Sequence, residues 1–305
     1  MKIGFIGCGA YGLALAKIWE QKNYRITMWS KFENEVLALR EKYKTREFTT
    51  SLEEISKNDL IIIAIPSSFI EEVMQEFKQY YNFQIVVIAS KGIVNGGRFI
   101  EEIVSLELET DNIVVISGPT FATDLEKEIP AAVTVGCRRK ELGLKVKDLL
   151  ETEYFKLEIK EDILGIEFCG AIKNVIAIST GIIEGMGYPE TTRYKYLTRI
   201  IGELSNILLV IGGKKETIFS LAGIGDLLLT TTSCKSRNYS LGVVRGREDN
   251  YQEYLNNNTV EGYFTLGEVQ ELLRKKNIHW EIINILEDIF YKGDSLEKFK
   301  EYLKK

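Results

Sequence analysis

Residues 2–16 read KIGFIGCGAYGLALA. The opening residues, with Ile and Phe, predict a short strand, and the small and apolar run from Tyr11 predicts a helix directly after it. Between them stand Gly7, Gly9 and Gly12, spaced G-x-G-x-x-G. In such a turn the first glycine permits the tight reversal. The second lets a pyrophosphate approach the backbone, and the third allows the helix to pack closely on the strand. The helix N-terminus then offers unpaired N–H groups and partial positive charge to phosphate. The spacing alone also fits a bare strand–helix turn. Its place at the head of a β-α-β unit is what makes it a prediction of dinucleotide binding.

Outward from this stretch, β-branched runs alternate with helix-period segments. Strands are expected at 2–7, 25–29, 60–65, 85–90, 113–117 and 131–136. Helices are expected at YGLALAKIWEQK (11–22), NEVLALREK (34–42), SFIEEVMQEFKQYY (68–81) and RFIEEIVSLE (98–107). Near-continuous Val/Ile strands separated by helices predict a parallel sheet covered on both faces, the doubly wound α/β arrangement of Rossmann type. From about residue 160 the strand signals stop, and helices are expected at 161–185, 190–211, 223–232, 264–276 and 280–291. The expected division is a dinucleotide-binding domain over 1–160 and an all-helical substrate and catalytic domain over 161–305. The polar, Asn-rich segment 249–263 is too short for a linker, and no internal repeat is visible.

Composition narrows the function. A chain of 305 residues with 45% hydrophobic and 27% charged residues has the make-up of a globular protein large enough for two domains. A net charge of −5 leaves no basic excess to neutralise phosphates, so nucleic acid is not an expected partner. Cys8, Cys137, Cys169 and Cys234 lie far apart among small or apolar residues, which predicts reduced thiols and a cytoplasmic location. MKIGFIGCGAYG runs straight into the strand and glycine loop, so no signal peptide is expected. Apolar runs such as LIIIAIP are too short to span a bilayer, so no stable membrane insertion is expected. The single histidine, His279, follows RKKNI in a charged segment and reads as a surface residue. A histidine general acid is therefore disfavoured, and no His/Cys/Asp cluster has metal spacing.

Ligands of open α/β sheets bind at the carboxyl ends of the strands. That edge carries Pro66-Ser67, Ser90-Lys91-Gly92 and Ser117-Gly118-Pro119-Thr120. Lys91 follows five apolar or small residues and reads either as a crevice cation or as a surface lysine at a strand end. Strand two ends TMWSKFEN, with Ser30 and Lys31 where an acidic residue would select NAD. A lysine beside a serine leans toward NADP, while Glu33 keeps NAD open, and Lys31 also reads as a solvated helix-start residue.

In the second half, GIEFCGAIKNVIAISTG (165–181) places Lys173 and Asn174 in a small, apolar helix. Lys173 shares a face with Cys169, Gly170, Ile176, Ala177 and Thr180, so its amine points into packed protein or a pocket. Burial disfavours the charged form, which suits proton transfer, and a nearby carboxylate would oppose that shift and fix the ammonium in place. Asp226 in LAGIGDLLLTTTS supplies such a carboxylate, with Thr230 one turn later. A purely structural Lys–Asp pair is the alternative. Ser236, Arg237 and Asn238 offer a guanidinium fork, a hydroxyl and an amide to a phosphate, or else form a solvated loop.

Taken in order, GCGAYGLALA, ASKGI, SGPTFA, GAIKNVIAISTGIIEGMG, LTRIIGEL, TIFSLAGIGDLLLTTTS, SRN and VEGY resemble the bacterial-type NAD(P)-dependent glycerol-3-phosphate dehydrogenase family over nearly the whole chain. The resemblance implies reversible hydride transfer between NAD(P)H and dihydroxyacetone phosphate, a small phosphorylated substrate, giving sn-glycerol 3-phosphate for glycerophospholipid synthesis. It implies that Lys173 is the general acid–base, with Asp226 orienting it. Lys91, Gly118, Thr120, Asp226, Ser236, Arg237 and Asn238 match substrate positions. Gly7, Gly9, Ala10, Tyr11, Gly12, Trp29, Lys31, Lys91, Ala122, Arg237, Thr259 and Glu261 match cofactor positions. By analogy with other helical second domains of this superfamily, a homodimer is possible.

The chain departs from the family pattern at Ala10, where a serine is usual. It also departs at Glu190-Thr191-Thr192-Arg193, where an Asp-Asn-Thr-Lys-like segment is usual, and 249–263 looks shortened. Two other readings compete: a superfamily reductase acting on a hydroxy acid or a ketopantoate-like substrate, and a dinucleotide sensor without turnover. The Ser-Arg-Asn group argues against the first, and the pocket lysine argues against the second.

Overall fold

The β-branched runs of the first half become one eight-stranded sheet in the computed structural model, which describes residues 1–305. The chain runs β1 (Lys2–Ile6), α1 (Ala10–Glu20), β2 (Arg25–Trp29), α2 (Glu33–Lys42), β3 (Glu47–Thr49), α3 (Leu52–Ser56), β4 (Leu60–Ile63), α4 (Ile70–Phe77) and β5 (Ile85–Ile88). A small hairpin follows, β6 (Ile93–Val94) and β7 (Arg98–Phe99). Then come α5 (Ile100–Leu108), β8 (Ile113–Ser117), α6 (Ala122–Leu125), β9 (Ala131–Cys137), α7 (Lys140–Leu150) and β10 (Phe155–Lys160). The remainder is helical: α8 (Ile163–Gly185), α9 (Glu190–Ile211), α10 (Asp226–Thr231), α11 (Arg237–Gly246), α12 (Tyr251–Asn257), α13 (Glu261–Lys275), α14 (Glu281–Tyr291) and α15 (Glu297–Lys304). Contacts divide the chain into one unit of Met1–Lys91 and Ile100–Ile166, and a second of Gly92–Phe99 and Glu167–Lys305.

In the first unit the sheet order is β10-β9-β8-β5-β4-β1-β2-β3, and pairing is parallel from β3 to β8. The order switches direction at β1, which is where an open sheet leaves a crevice beyond its strand ends. Central strands are buried on both faces: Phe5, Ile62 and Val87 lie on one, and Ile6, Ile63 and Ile88 on the other. Trp19 ties α1 to the far edge: its ring packs on Phe5 and Phe155, and its indole N–H donates to Leu150 O at 2.9 Å.

The sheet departs from uniform parallel pairing at one side. β9 runs antiparallel to β8, with Ser117 opposite Thr134, and β10 is parallel to β9. Only the four-residue α6 lies between β8 and β9, so the chain turns back at the same sheet edge instead of crossing over. Strands β4 and β5 stop at Ile63 and Ile88, two residues earlier than expected, and the helix expected from residue 98 begins at Ile100 because Arg98 and Phe99 pair with Val94 and Ile93.

In the second unit α8 is the core. It is long and apolar enough to cross a membrane, a length that uninterrupted apolar runs in the sequence understate, and its apolar stretch lies wholly inside the fold. α11 crosses α8 backbone to backbone. A Cβ on Gly181 would lie 2.1 Å from Tyr239 O, and one on Gly242 would lie 2.0 Å from Ile178 O. Gly185 and Gly246, one turn on, meet the partner helix as closely. The hairpin packs on α13: Glu268 accepts from the N–H groups of Gly96 and Gly97 at 2.8 and 2.9 Å, and Lys275 donates to Gly96 O.

Candidate active site

The three loop glycines of the first unit meet three different constraints. Gly7 has φ +116°, and a Cβ there would sit 2.4 Å from Ala64 O. Gly12 approaches Gly7 O and the Ala64 side chain, bringing α1 down onto the sheet. Gly9 caps α1, and a Cβ there would meet nothing within 4 Å, so this face of the loop is open to a ligand. No acidic residue stands in the first turn of α1 to offset its positive end. A pyrophosphate fits that combination.

A groove of about 280 Å³ runs from this loop across the ends of β2 and β4. Gly7, Cys8 and Gly9 line one side, Trp29 to Phe32 and Glu35 another, and Ala64 to Pro66, Phe69, Glu72 and Val73 the rest. Phe32 and Phe69 are 63% and 51% exposed, apolar faces on which a planar base can stack. Trp29 is fixed by its indole N–H donating to Thr50 O at 3.0 Å. Ser30 Oγ donates to Glu35 Oε2 at 2.5 Å, and Lys31 donates to Glu72 Oε1 at 2.6 Å. Burial, followed by the charge of Glu35, pushes the Cys8 thiol up to about 12.

The other strand ends converge near the start of α1. The Tyr11 hydroxyl and Thr120 Oγ1 are 3.0 Å apart, and the Lys91 ammonium lies 5.8 Å from the Tyr11 ring centre. Ser90 Oγ donates to Ile65 O at 2.6 Å, fixing the turn before Lys91 to the end of β4. A Cβ on Gly118 would press on Val133 Cα at 2.8 Å, so the turn after β8 demands glycine. Ala122 opens α6, and Ala10 is the first residue of α1.

In the second unit the Lys173 ammonium donates to Asp226 Oδ1 at 2.5 Å. Asp226 begins α10 after a wide turn, Leu221–Gly225, in which Gly223 leaves helical geometry and has Ile218 O where a Cβ would stand. Thr230 spends its hydroxyl on Asp226 O, one turn back. Next to Lys173 in sequence, Asn174 accepts from Asn238 Nδ2 at 3.0 Å and donates to Glu261 Oε2 at 3.3 Å. Asn238 Oδ1 accepts from Gly262 N at 2.8 Å. Asn174 is thus the hub of this network, whereas the sequence names it beside Lys173 without pointing to a role. Its direct adjacency to the buried lysine is the signal that could have found it.

Ser236-Arg237-Asn238 is the start of α11, not a loop. Ser236 is its N-cap, accepting from Tyr239 N at 3.3 Å; Asn238 is buried and Arg237 is exposed. Thr259 is exposed two residues before Glu261. Arg193, in the departing segment, donates to Glu184, Glu190 and the Tyr239 hydroxyl, tying the start of α9 to α11. His279 lies apart from these groups and contacts Asn284.

A glycine-loop groove in an α/β unit, together with a buried Lys–Asp pair in a helical unit, defines a dinucleotide-dependent oxidoreductase of the two-domain type. The comparisons with known proteins specify which. The N-terminal and C-terminal models of NAD-dependent glycerol-3-phosphate dehydrogenase match residues 2–143 and 162–301. The chain belongs to the NAD-dependent glycerol-3-phosphate dehydrogenase family. It is 31% identical to a glycerol-3-phosphate dehydrogenase [NAD(P)+] of Agathobacter rectalis, covering 95% of this chain and 91% of the relative. A relative of the same name from Clostridium perfringens is 28% identical over 97% of this chain and 95% of its own length. The crystal structure of glycerol-3-phosphate dehydrogenase from Coxiella burnetii superposes with a TM-score of 0.93 at 27% identity, covering 100% of this chain and 99% of that one.

Proposed function

We propose that this chain catalyses the reversible reduction of dihydroxyacetone phosphate to sn-glycerol 3-phosphate with NAD(P)H, providing the glycerol backbone of phospholipids in the cytoplasm. The observation that carries the catalytic assignment is the Lys173–Asp226 pair, an ammonium held inside the helical unit by a carboxylate. When bound, NAD(P)H supplies the hydride that reduces C2.

The residues supply everything else. Lys173 delivers a proton to the C2 oxygen as negative charge develops there, and takes it back in the reverse direction. Asp226 orients the amine. Lys91 adds positive charge for the substrate. Asn174 and Asn238, each fixed by hydrogen bonds, present polar groups in set positions. Ser236 and Arg237, at the N-terminus of α11, hold the phosphate away from the reacting carbon, which orients the carbonyl. Gly118 and Thr120 shape the substrate end of the strand edge. Gly7, Gly9, Ala10, Tyr11, Gly12, Trp29, Lys31 and Ala122 receive the dinucleotide, with Thr259 and Glu261 as further contacts.

The test is coenzyme oxidation, followed by nicotinamide absorbance, with dihydroxyacetone phosphate and with 2-keto acids as alternative acceptors. Turnover with the phosphate ester, lost on Arg237→Ala through a raised KM, is the expected result. Turnover with a keto acid alone would replace this substrate with a carboxylate.

A further inference from the structure

We propose that the groove at the end of β2 selects NADH over NADPH, with Glu35 receiving the ribose hydroxyls and Glu72 cancelling the charge of Lys31. The inference rests on the reading of this groove as the coenzyme site and adds to it which coenzyme is used.

The groove lining holds one cation, Lys31, and two carboxylates, Glu35 and Glu72. A 2′-phosphate would bring a further charge of about −1.5 to −2. Lys31 already spends its charge on Glu72, so the phosphate shares the groove with two carboxylates against a single cation. The Lys31–Glu72 pair is exposed and weak by itself, so the discrimination comes from the sum of charges rather than from that pair. The sequence alone leans the other way because Lys31 is its visible cation. The fold adds Glu72 from α4, forty-one positions further on.

Glu35 is placed to hold a diol. Its carboxylate accepts from Ser30 Oγ at the end of β2 and interacts with the Cys8 thiol in the glycine loop. It lines the same groove as the glycine loop and the aromatic faces of Phe32 and Phe69. A carboxylate accepts up to about four hydrogen bonds, so capacity for two ribose hydroxyls remains. Ser30 also accepts from Phe32 N at 3.2 Å, which commits its hydroxyl to this arrangement and away from a phosphate.

The experiment titrates NADH and NADPH into the full-length protein by coenzyme fluorescence, without substrate, for wild type, Glu72→Gln and Glu35→Gln. NADH should bind about tenfold or more tightly than NADPH, and added salt should narrow the gap. Glu72→Gln, an exposed change, should tighten NADPH about fivefold and leave NADH within about twofold. Glu35→Gln should weaken NADH and tighten NADPH. Equal or tighter binding of NADPH to the wild type, or a ratio that neither substitution moves, would overturn the proposal. Failure of both coenzymes to bind would overturn it together with the coenzyme site. A preserved preference in a protein that does not turn over dihydroxyacetone phosphate would uphold it while removing the substrate assignment.

Discussion

Lys173 and Asp226, fifty-three positions apart, meet at 2.5 Å with side chains 9% and 1% exposed. Two charges so far from water are stable only as a pair, and removing one partner from a buried pair costs about 3–5 kcal/mol. Asp226→Leu should therefore lower the Tm by several degrees and abolish turnover. The double change Lys173→Met with Asp226→Leu should recover most of the Tm and none of the activity. Thermal unfolding of the two single variants and the double checks this. A double variant less stable than either single would place the cost elsewhere.

The crossing of α8 and α11 sets where Ser236, Arg237 and Asn238 stand. Gly242→Ala pushes a methyl into Ile178 O and forces the helices apart. Overpacking of this kind costs about 1–3 kcal/mol. The expected outcome is a lower Tm and a KM for dihydroxyacetone phosphate raised by more than kcat falls, read from steady-state kinetics.

Asn238→Ala removes two hydrogen bonds at once, leaving Asn174 Oδ1 and the Gly262 N–H unpaired in a buried place. An unsatisfied buried group costs about 1–3 kcal/mol. The variant should be destabilised by about that amount and bind substrate more weakly. Denaturant unfolding with parallel kinetics reads both effects.

The thiols give a chemical check. Cys8, Cys137 and Cys169 are buried and Cys234 is exposed. One thiol should react quickly with an aromatic disulfide reagent at mild pH, and all four after denaturation. At high pH the sign is fixed by the upward shifts: Cys8 from 9.0, and Tyr239 from 10.0 through burial and then Glu184, both to about 12. Well below pH 9 folded and unfolded chains both keep these protons, and the stability is complete. Between pH 9 and 12 the unfolded chain releases them first, so the Tm should fall across that window.

Much of the first unit was legible because its signals are local. The glycine spacing follows a strand, and the Val/Ile runs are long enough to announce buried parallel strands. β10, FKLEIK, escaped notice because it is an edge strand with charges at alternate positions, and β3 is only three residues long. No helix was expected at α11, where Gly242 and Gly246 are poor helix formers that serve the close approach to α8. Lys173 and Asp226 stood out as charges in apolar helices. Other pairings did not: the reach of Asn238 to Asn174, or of Glu72 to Lys31, depends on how distant segments cross, and no local pattern encodes it.

The most direct test of the account compares wild type with Lys173→Ala for dihydroxyacetone phosphate-dependent oxidation of NADH and NADPH, with coenzyme binding measured on the same preparations. Wild-type turnover, a loss of at least about a thousandfold in kcat for the variant, and unchanged coenzyme affinity are expected. A variant that keeps near wild-type kcat would contradict the role given to Lys173 as the proton donor at C2.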